Sequence, residues 1–202
     1  MIEPDRTALL VVCPEVEPVV RPHRRRYDAA ARVGVPAHVT VVYPFVAPAE
    51  VTRVVRERAA AVAAAAAPFD LVLRRTAWFD ETVLYLAPED PDPLVALTAA
   101  VTAAFPGNPP YEGRHPGTVP HLTVAHDQPR PVLREVEKAV LPVLPVHQHV
   151  AAIELRTGPR PTTHGEVRWR RLETFSLGDP GAPGSGRRSQ PHGRPTHREA
   201  ST

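Results

Sequence analysis

Two short strings of the 202-residue chain bring together side chains able to move protons: His38-Val39-Thr40-Val41 and His121-Leu122-Thr123-Val124. Each has the form His-apolar-Thr-apolar. Imidazole titrates near neutrality, so one neutral ring and one protonated ring can coexist at working pH. Such a pair can take a proton from one oxygen and give a proton to another. Substitution at a phosphodiester needs both transfers, with the nucleophile and leaving group on opposite sides of phosphorus. A threonine two residues beyond each histidine adds a hydroxyl that can donate to a non-bridging oxygen.

For these groups to work together, something must place them on facing surfaces. Alternation of polar and apolar residues is the period of a half-buried strand, whose successive side chains point to opposite faces. His38 and Thr40 then share one face while Val39 and Val41 enter a core. His121 and Thr123 share a face in the same way, opposite Leu122 and Val124. The duplication predicts two similar lobes facing each other across a cleft. The same count sends Tyr43 and His126, each five residues past its histidine, to the opposite face; Tyr43 then reads as a core or lobe contact.

The remaining elements follow from local signals. Thr7–Val12 is a buried strand with Cys13 as a small apolar residue in it. Residues 15–31 admit helix only in short pieces or with a late start, because of Pro18 and Pro22. Val51, Val54, Val55, Ala59 and Val62 have helical spacing, with Pro48 as an early helix residue. Strands are predicted over 69–75 and 82–86, separated by Trp78-Phe79-Asp80-Glu81. Asp92-Pro93 opens a helix with Leu94, Leu97, Val101 and Phe105 along one side. A Pro/Gly-rich loop leads to the second histidine string. A helix over 132–141 and strands over 150–155 and 166–175 complete the domain. From Asp179 onward no apolar residue is larger than Ala, and such a segment cannot offset its ordering entropy. The expected division is a bilobal domain over 1–178 and a disordered tail over 179–202.

Bulk composition excludes some classes. The formal net charge is only +2, a mild bias unlike the basic surface of a general nucleic-acid coat. No run of about 18 apolar residues occurs, so no membrane span is expected. The first residues lack the basic-then-apolar order of a signal peptide, and the lone Cys13 fits a reducing cytoplasm. A monomer is expected. No Gly-x-x-x-x-Gly-Lys loop is present, which argues against energy-driven chemistry on a nucleoside triphosphate.

The two strings, read as Pro36-Ala37-His38-Val39-Thr40-Val41-Val42-Tyr43-Pro44-Phe45 and Pro120-His121-Leu122-Thr123-Val124, resemble the paired signature of the 2H phosphoesterase superfamily, which includes the LigT-like bacterial proteins called 2′-5′ RNA ligases. The resemblance covers about residues 7–178. It implies an α+β fold of two pseudo-symmetric lobes, each an antiparallel sheet with helices outside and the active-site cleft between the sheets. It further implies a phosphodiesterase that needs no metal or other cofactor, acting on 2′,3′-cyclic phosphates or 2′-5′ linkages of RNA ends or small nucleotides. His38 and His121 would be the catalytic pair, Thr40 and Thr123 the phosphate-binding hydroxyls. For a cyclic phosphate opened to a 2′-phosphate, the resemblance makes His121 the base and His38 the acid. In many LigT-like proteins an Arg stands a few residues past the second Thr; here the chain reads Val124-Ala125-His126-Asp127. Arg74, Arg75, Arg156 or Arg160 can supply the charge instead, and the sequence does not choose among them.

Three rival readings are weaker. A metal centre drawing on His115, His121 and His126, or on His147 and His149, lacks a Cys pair, a dense carboxylate cluster and a helical His-x₃-His spacing. Thiol chemistry at Cys13 lacks an activating neighbour. A binding module for RNA ends or phosphorylated ligands needs no second proton-transfer group, yet both are present.

Overall fold

The apolar run after Arg6 forms strand β1 (Arg6–Val12), and its alternation sets the plan of the molecule. Leu9 and Val11 enter the main core, while Ala8 and Leu10 face the other way. The computed structural model describes residues 5–113, 119–159 and 168–178. The tail over 179–202 lies outside the described residues, as does His115.

The described strands make two four-stranded antiparallel sheets. The first has the order β2-β1-β7-β8, with β2 His38–Val42, β7 Ala152–Gly158 and β8 Arg170–Ser176. The second has the order β5-β4-β3-β6, with β3 Phe69–Phe79, β4 Val83–Pro88, β5 Leu122–His126 and β6 Val146–Val150. Each histidine string lies on an edge strand, paired with the strand that precedes it in the chain. This is the expected α+β architecture, with a cleft between two like sheets.

The helices cross over. Helix α1 (Glu17–Tyr27) leaves the first sheet after β1 yet packs on β5 of the second, beside α5 (Arg130–Val140). Helix α4 (Asp92–Ala104) leaves the second sheet after β4 yet packs on β2 of the first, beside α3 (Arg53–Ala65). A single apolar cluster therefore joins both sheets: it holds Leu9, Val39 and Leu155 of the first sheet, Leu84 and Leu122 of the second, and Leu94, Val101, Leu133 and Val136 of the helices. Among the described residues no helix is long and apolar enough to cross a membrane.

Several predicted boundaries move. Pro48 opens a short 3₁₀ turn, Pro48–Glu50, and α3 begins later, where the Thr52 hydroxyl accepts the Val55 N–H. Pro22 lies inside α1, which continues past it at the cost of one backbone bond; the helix stops at Asp28, whose carboxylate caps the short α2 (Ala29–Arg32). Trp78 and Phe79 belong to β3, so the turn is confined to 80–82. The predicted strand over 150–155 is the end of β6 and the start of β7, which meet at Ala151. Strand β6 escapes prediction because its alternate residues His147 and His149 are exposed on an edge, with only Gln148 and Val150 buried. Cys13 sits one residue past β1, fully buried, and burial pushes its thiol up to about 12, which leaves it inert.

Candidate functional site

The two histidines are anchored alike. His38 Nδ1 lies 2.7 Å from the Pro36 carbonyl oxygen, and His121 Nδ1 lies 2.8 Å from that of Val119. A carbonyl can only accept, so Nδ1 carries the hydrogen on both rings, and Nε2 is left to take or give a proton. The carbonyl stands two residues before the histidine in each case. His38, Thr40, His121 and Thr123 are all half-buried, and β2 packs against β5. The structure thus sets the four on the faces the alternation assigned, on two strands that pack together, and near enough that His38 feels the charge of His121.

The electrostatics of the two rings differ. Burial pushes His38 down to about 4; the Arg24 guanidinium adds to this, as does the charge of His121, while the Pro36 hydrogen bond and Asp28 oppose it. Arg24 is almost wholly buried in α1, with Nε and Nη2 both donating to Asp28 Oδ2. Burial also lowers His121, opposed by the Val119 hydrogen bond and helped by His126. Aromatic rings surround His121: Phe79 meets it edge-on at 4.8 Å between centroids, Tyr85 lies at 5.5 Å, and the two stack on each other at 4.3 Å.

Two β-bulges correct the sequence reading of Tyr43 and His126. Beside β1 the pairing runs Thr40↔Leu10 and then Val42↔Leu9, so Val41 and Val42 both turn into the core. Tyr43 comes back to the face of His38 and lines a pocket with His38 and Thr40. Beside β4 the pairing runs Thr123↔Tyr85 and then Ala125↔Leu84, so Val124 and Ala125 are both buried. His126 comes back to the face of His121 and acts on that ring's proton affinity. One extra residue inverts every later side chain of a strand. Strict alternation separates His121 from His126, but the fold puts them on one side. Even so, among the described residues no three His, Cys, Asp or Glu side chains converge as a metal would require.

The arginines sort themselves. Arg74 is paired with Glu89 at 2.9 Å, Arg156 donates to Glu154, and Arg160 lies outside the described residues. Arg75 is exposed, and a bulge at β3 sets it opposite Ala87, in line with Ala77 opposite Tyr85. It therefore shares the sheet face of Thr123. A further residue had no sequence signal: Tyr111, in the loop before the second histidine, whose phenol is pushed up by burial and drawn back by the Thr40 hydroxyl beside it. Its backbone N–H donates to the Tyr43 carbonyl at 2.8 Å, and both Tyr111 and Glu112 have positive φ, a conformation that side-chain-bearing residues adopt only when held.

The same arrangement of sheets is found in known structures. The crystal structure of TT0787 from Thermus thermophilus superposes with a TM-score of 0.59 at 21% identity, covering 86% of this chain and 98% of that one. Escherichia coli LigT complexed with 3′-AMP gives a TM-score of 0.57 at 18% identity, over 87% of this chain and 99% of that chain. LigT complexed with ATP gives 0.52 at 20% identity, over the same shares. At these identities the likeness is one of fold. No curated protein matches the chain. At the level of sequence, residues 12–160 match the 2′-5′ RNA ligase superfamily. With its paired His-x-Thr strands and its LigT-like fold, the chain belongs to that superfamily.

Proposed function

We propose that this protein is a phosphodiesterase that needs no metal, opening 2′,3′-cyclic phosphates or cleaving 2′-5′ phosphodiesters of RNA ends or small nucleotides. His38 and His121 serve as the acid–base pair, and Thr40 and Thr123 hold the non-bridging oxygens. The observation that carries this reading is the duplicated anchoring of the rings: each Nδ1 is tied to a backbone carbonyl, and each Nε2 is left for chemistry. A pure binding site gains nothing from fixing two imidazoles in the same tautomer. The nucleotide class is supported by the LigT complexes with 3′-AMP and ATP.

In the free site both rings are held toward the neutral form. A bound phosphate anion reverses this for whichever ring donates a proton, since an opposite charge nearby favours the charged form. The resemblance to the 2H superfamily assigns His121 as base and His38 as acid. One observation favours the exchanged roles: burial, with Arg24 adding to it, pushes His38 down to about 4, and a neutral imidazole is ready to act as base. Run backwards, the same steps join RNA ends in a 2′-5′ linkage.

The test is a short RNA ending in a 2′,3′-cyclic phosphate, incubated with the protein in excess EDTA. Turnover that survives the chelator and falls about 10²- to 10⁴-fold in both His38→Ala and His121→Ala is the expected result. Activity lost only with EDTA would overturn the metal-free mechanism, and no turnover on cyclic or 2′-5′ substrates would overturn the reading as a whole.

A further inference from the structure

The two rings are anchored alike but backed differently. The carbonyl that holds His38 is one end of the Pro36–Ala37 peptide. The other end, the Ala37 N–H, donates to Oε2 of Glu17 in the first turn of α1. That peptide is trans, and a trans peptide points its C=O and N–H in opposite directions. Ring and carboxylate therefore sit at the two ends of one peptide group. The carbonyl that holds His121 belongs instead to the Val119–Pro120 peptide. Proline has no N–H, so no acceptor can back that peptide.

The chain from Glu17 to His38 is fixed along its length. Ala37 is fully buried, and its own carbonyl accepts the Cys13 N–H at 2.8 Å, which pins the segment from the other side. Glu17 Oε2 also faces Arg24 Nη1 at 4.0 Å. Arg24 donates to Asp28 through Nε and Nη2, and its buried Nη1 makes no hydrogen bond among the described residues, so it is left turned toward the Glu17 carboxylate. An N–H that donates to an anion pushes electron density through the amide resonance onto its carbonyl oxygen, and hydrogen bonds in a row polarise one another. The Pro36 carbonyl is thereby a stronger acceptor than that of Val119, and a ring held by it is stabilised as it takes on a proton. The buried Asp of a Ser-His-Asp triad serves its histidine in the same sense.

We infer that Glu17 is a positioning residue for His38, acting through the shared Pro36–Ala37 peptide to favour the protonated ring as it forms, with no counterpart behind His121. The inference rests on the phosphodiesterase reading for what His38 does with its proton; the hydrogen-bonded chain stands without it. It separates two rings that the duplicated motif makes equal, and it gives His38 the backing suited to a base. Arg24, Asp28 and His121 also act on His38, and all three stay in place when Glu17 alone is changed.

Glu17→Gln is the test, because its amide oxygen can still accept the Ala37 N–H while the charge is gone. A merely structural anchor survives that exchange. Proton NMR of the two ring Nδ1–H groups at neutral pH reads the strength of each hydrogen bond without turnover. The His38 resonance is expected to move upfield in Glu17→Gln, and at least as far in Glu17→Ala, with the His121 resonance in place. On a short RNA ending in a 2′,3′-cyclic phosphate, kcat of Glu17→Gln is expected to fall about tenfold, as when a charge-assisted hydrogen bond becomes a neutral one. If one variant does not fold, the other decides. A His38 resonance that stays put, or moves no further than that of His121, would overturn the relay. So would a fall in kcat with the resonance unmoved, since that is the field of a charge acting without the peptide. Turnover in the wild type with no spectral change removes the relay and leaves the phosphodiesterase; the spectral change without any turnover in the wild type does the reverse.

Discussion

The phenol of Tyr111, on the loop that leads to the second histidine, stands beside the hydroxyl of Thr40, on the strand of the first, which draws its titration back against burial as a hydrogen-bond donor does. One half of the chain thereby meets the hydroxyl of the other that is proposed to hold the phosphate. Tyr111→Phe keeps the ring and removes that bond. A neutral hydrogen bond contributes about 0.5–1.5 kcal/mol, so kcat/KM on a cyclic-phosphate RNA is expected to fall by up to about tenfold. An unchanged kcat/KM would show that Thr40 is oriented without Tyr111.

Position five past each histidine carries Tyr43 in one sheet and His126 in the other, both returned to the cleft face by a bulge. His126 is exposed there, close enough that its charge lowers His121. His126→Ala is expected to raise KM several-fold with kcat within about twofold, as loss of a ground-state contact does. Removing that charge also lets His121 titrate higher, so the limb of the pH–rate profile that His121 sets moves up. A large fall in kcat at constant KM would instead place His126 in the proton transfers.

Stability should respond to acid through His38. Its affinity for protons is held to about 4 in the folded protein, against 6.5 for an unperturbed imidazole, so between those values the unfolded chain binds the extra proton. The contribution is complete above pH 6.5, declines as pH falls toward 4, and is level below that. It amounts to about 3 kcal/mol at most. Urea titrations at pH 7 and pH 4 should show His38→Gln losing less stability than the wild type over this span; equal losses would contradict the burial of a neutral ring.

Arg24 and Asp28 form a buried pair at 2.8 Å. Arg24→Met leaves the Asp28 charge uncompensated, which costs about 3–5 kcal/mol in such settings. The same change removes a cation that helps burial hold His38 down, so any remaining activity should show the limb of its pH–rate profile that His38 sets shifted upward. Denaturant unfolding and a pH–rate profile on one variant test both, and a variant as stable as the wild type would mean that the pair is not buried in solution.

Gly158→Ala places a methyl group against Trp169, whose indole N–H is held by the Pro159 carbonyl. Overpacking of this kind costs about 1–3 kcal/mol. A lowered Tm with an altered tryptophan fluorescence spectrum is expected, whereas Gly107→Ala, with nothing within 4 Å of the added carbon, serves as the silent control.

Alternation alone reaches far into this fold. It puts His38, Thr40, His121 and Thr123 on the right faces because nothing interrupts the pleat between each histidine and its threonine. It misplaces Tyr43 and His126 because a bulge follows each threonine, and two consecutive apolar residues, Val41-Val42 and Val124-Ala125, are the trace the bulge leaves. Periodicity also misses β6, an edge strand whose exposed side is histidine. It starts α3 too early, because a proline suits a 3₁₀ turn as well as a first helical turn. Tyr111 has no local signature at all, since it reaches its partner from a loop far away in sequence.

The exchange of helices makes the two halves mechanically one. Because α1 ties the first sheet to the second and α4 ties the second to the first, each half of the chain supplies the backing of the other. Neither half can be excised and expected to fold, and the two sheets cannot swing apart like jaws without tearing a shared core. The two sheets are sewn together from both sides.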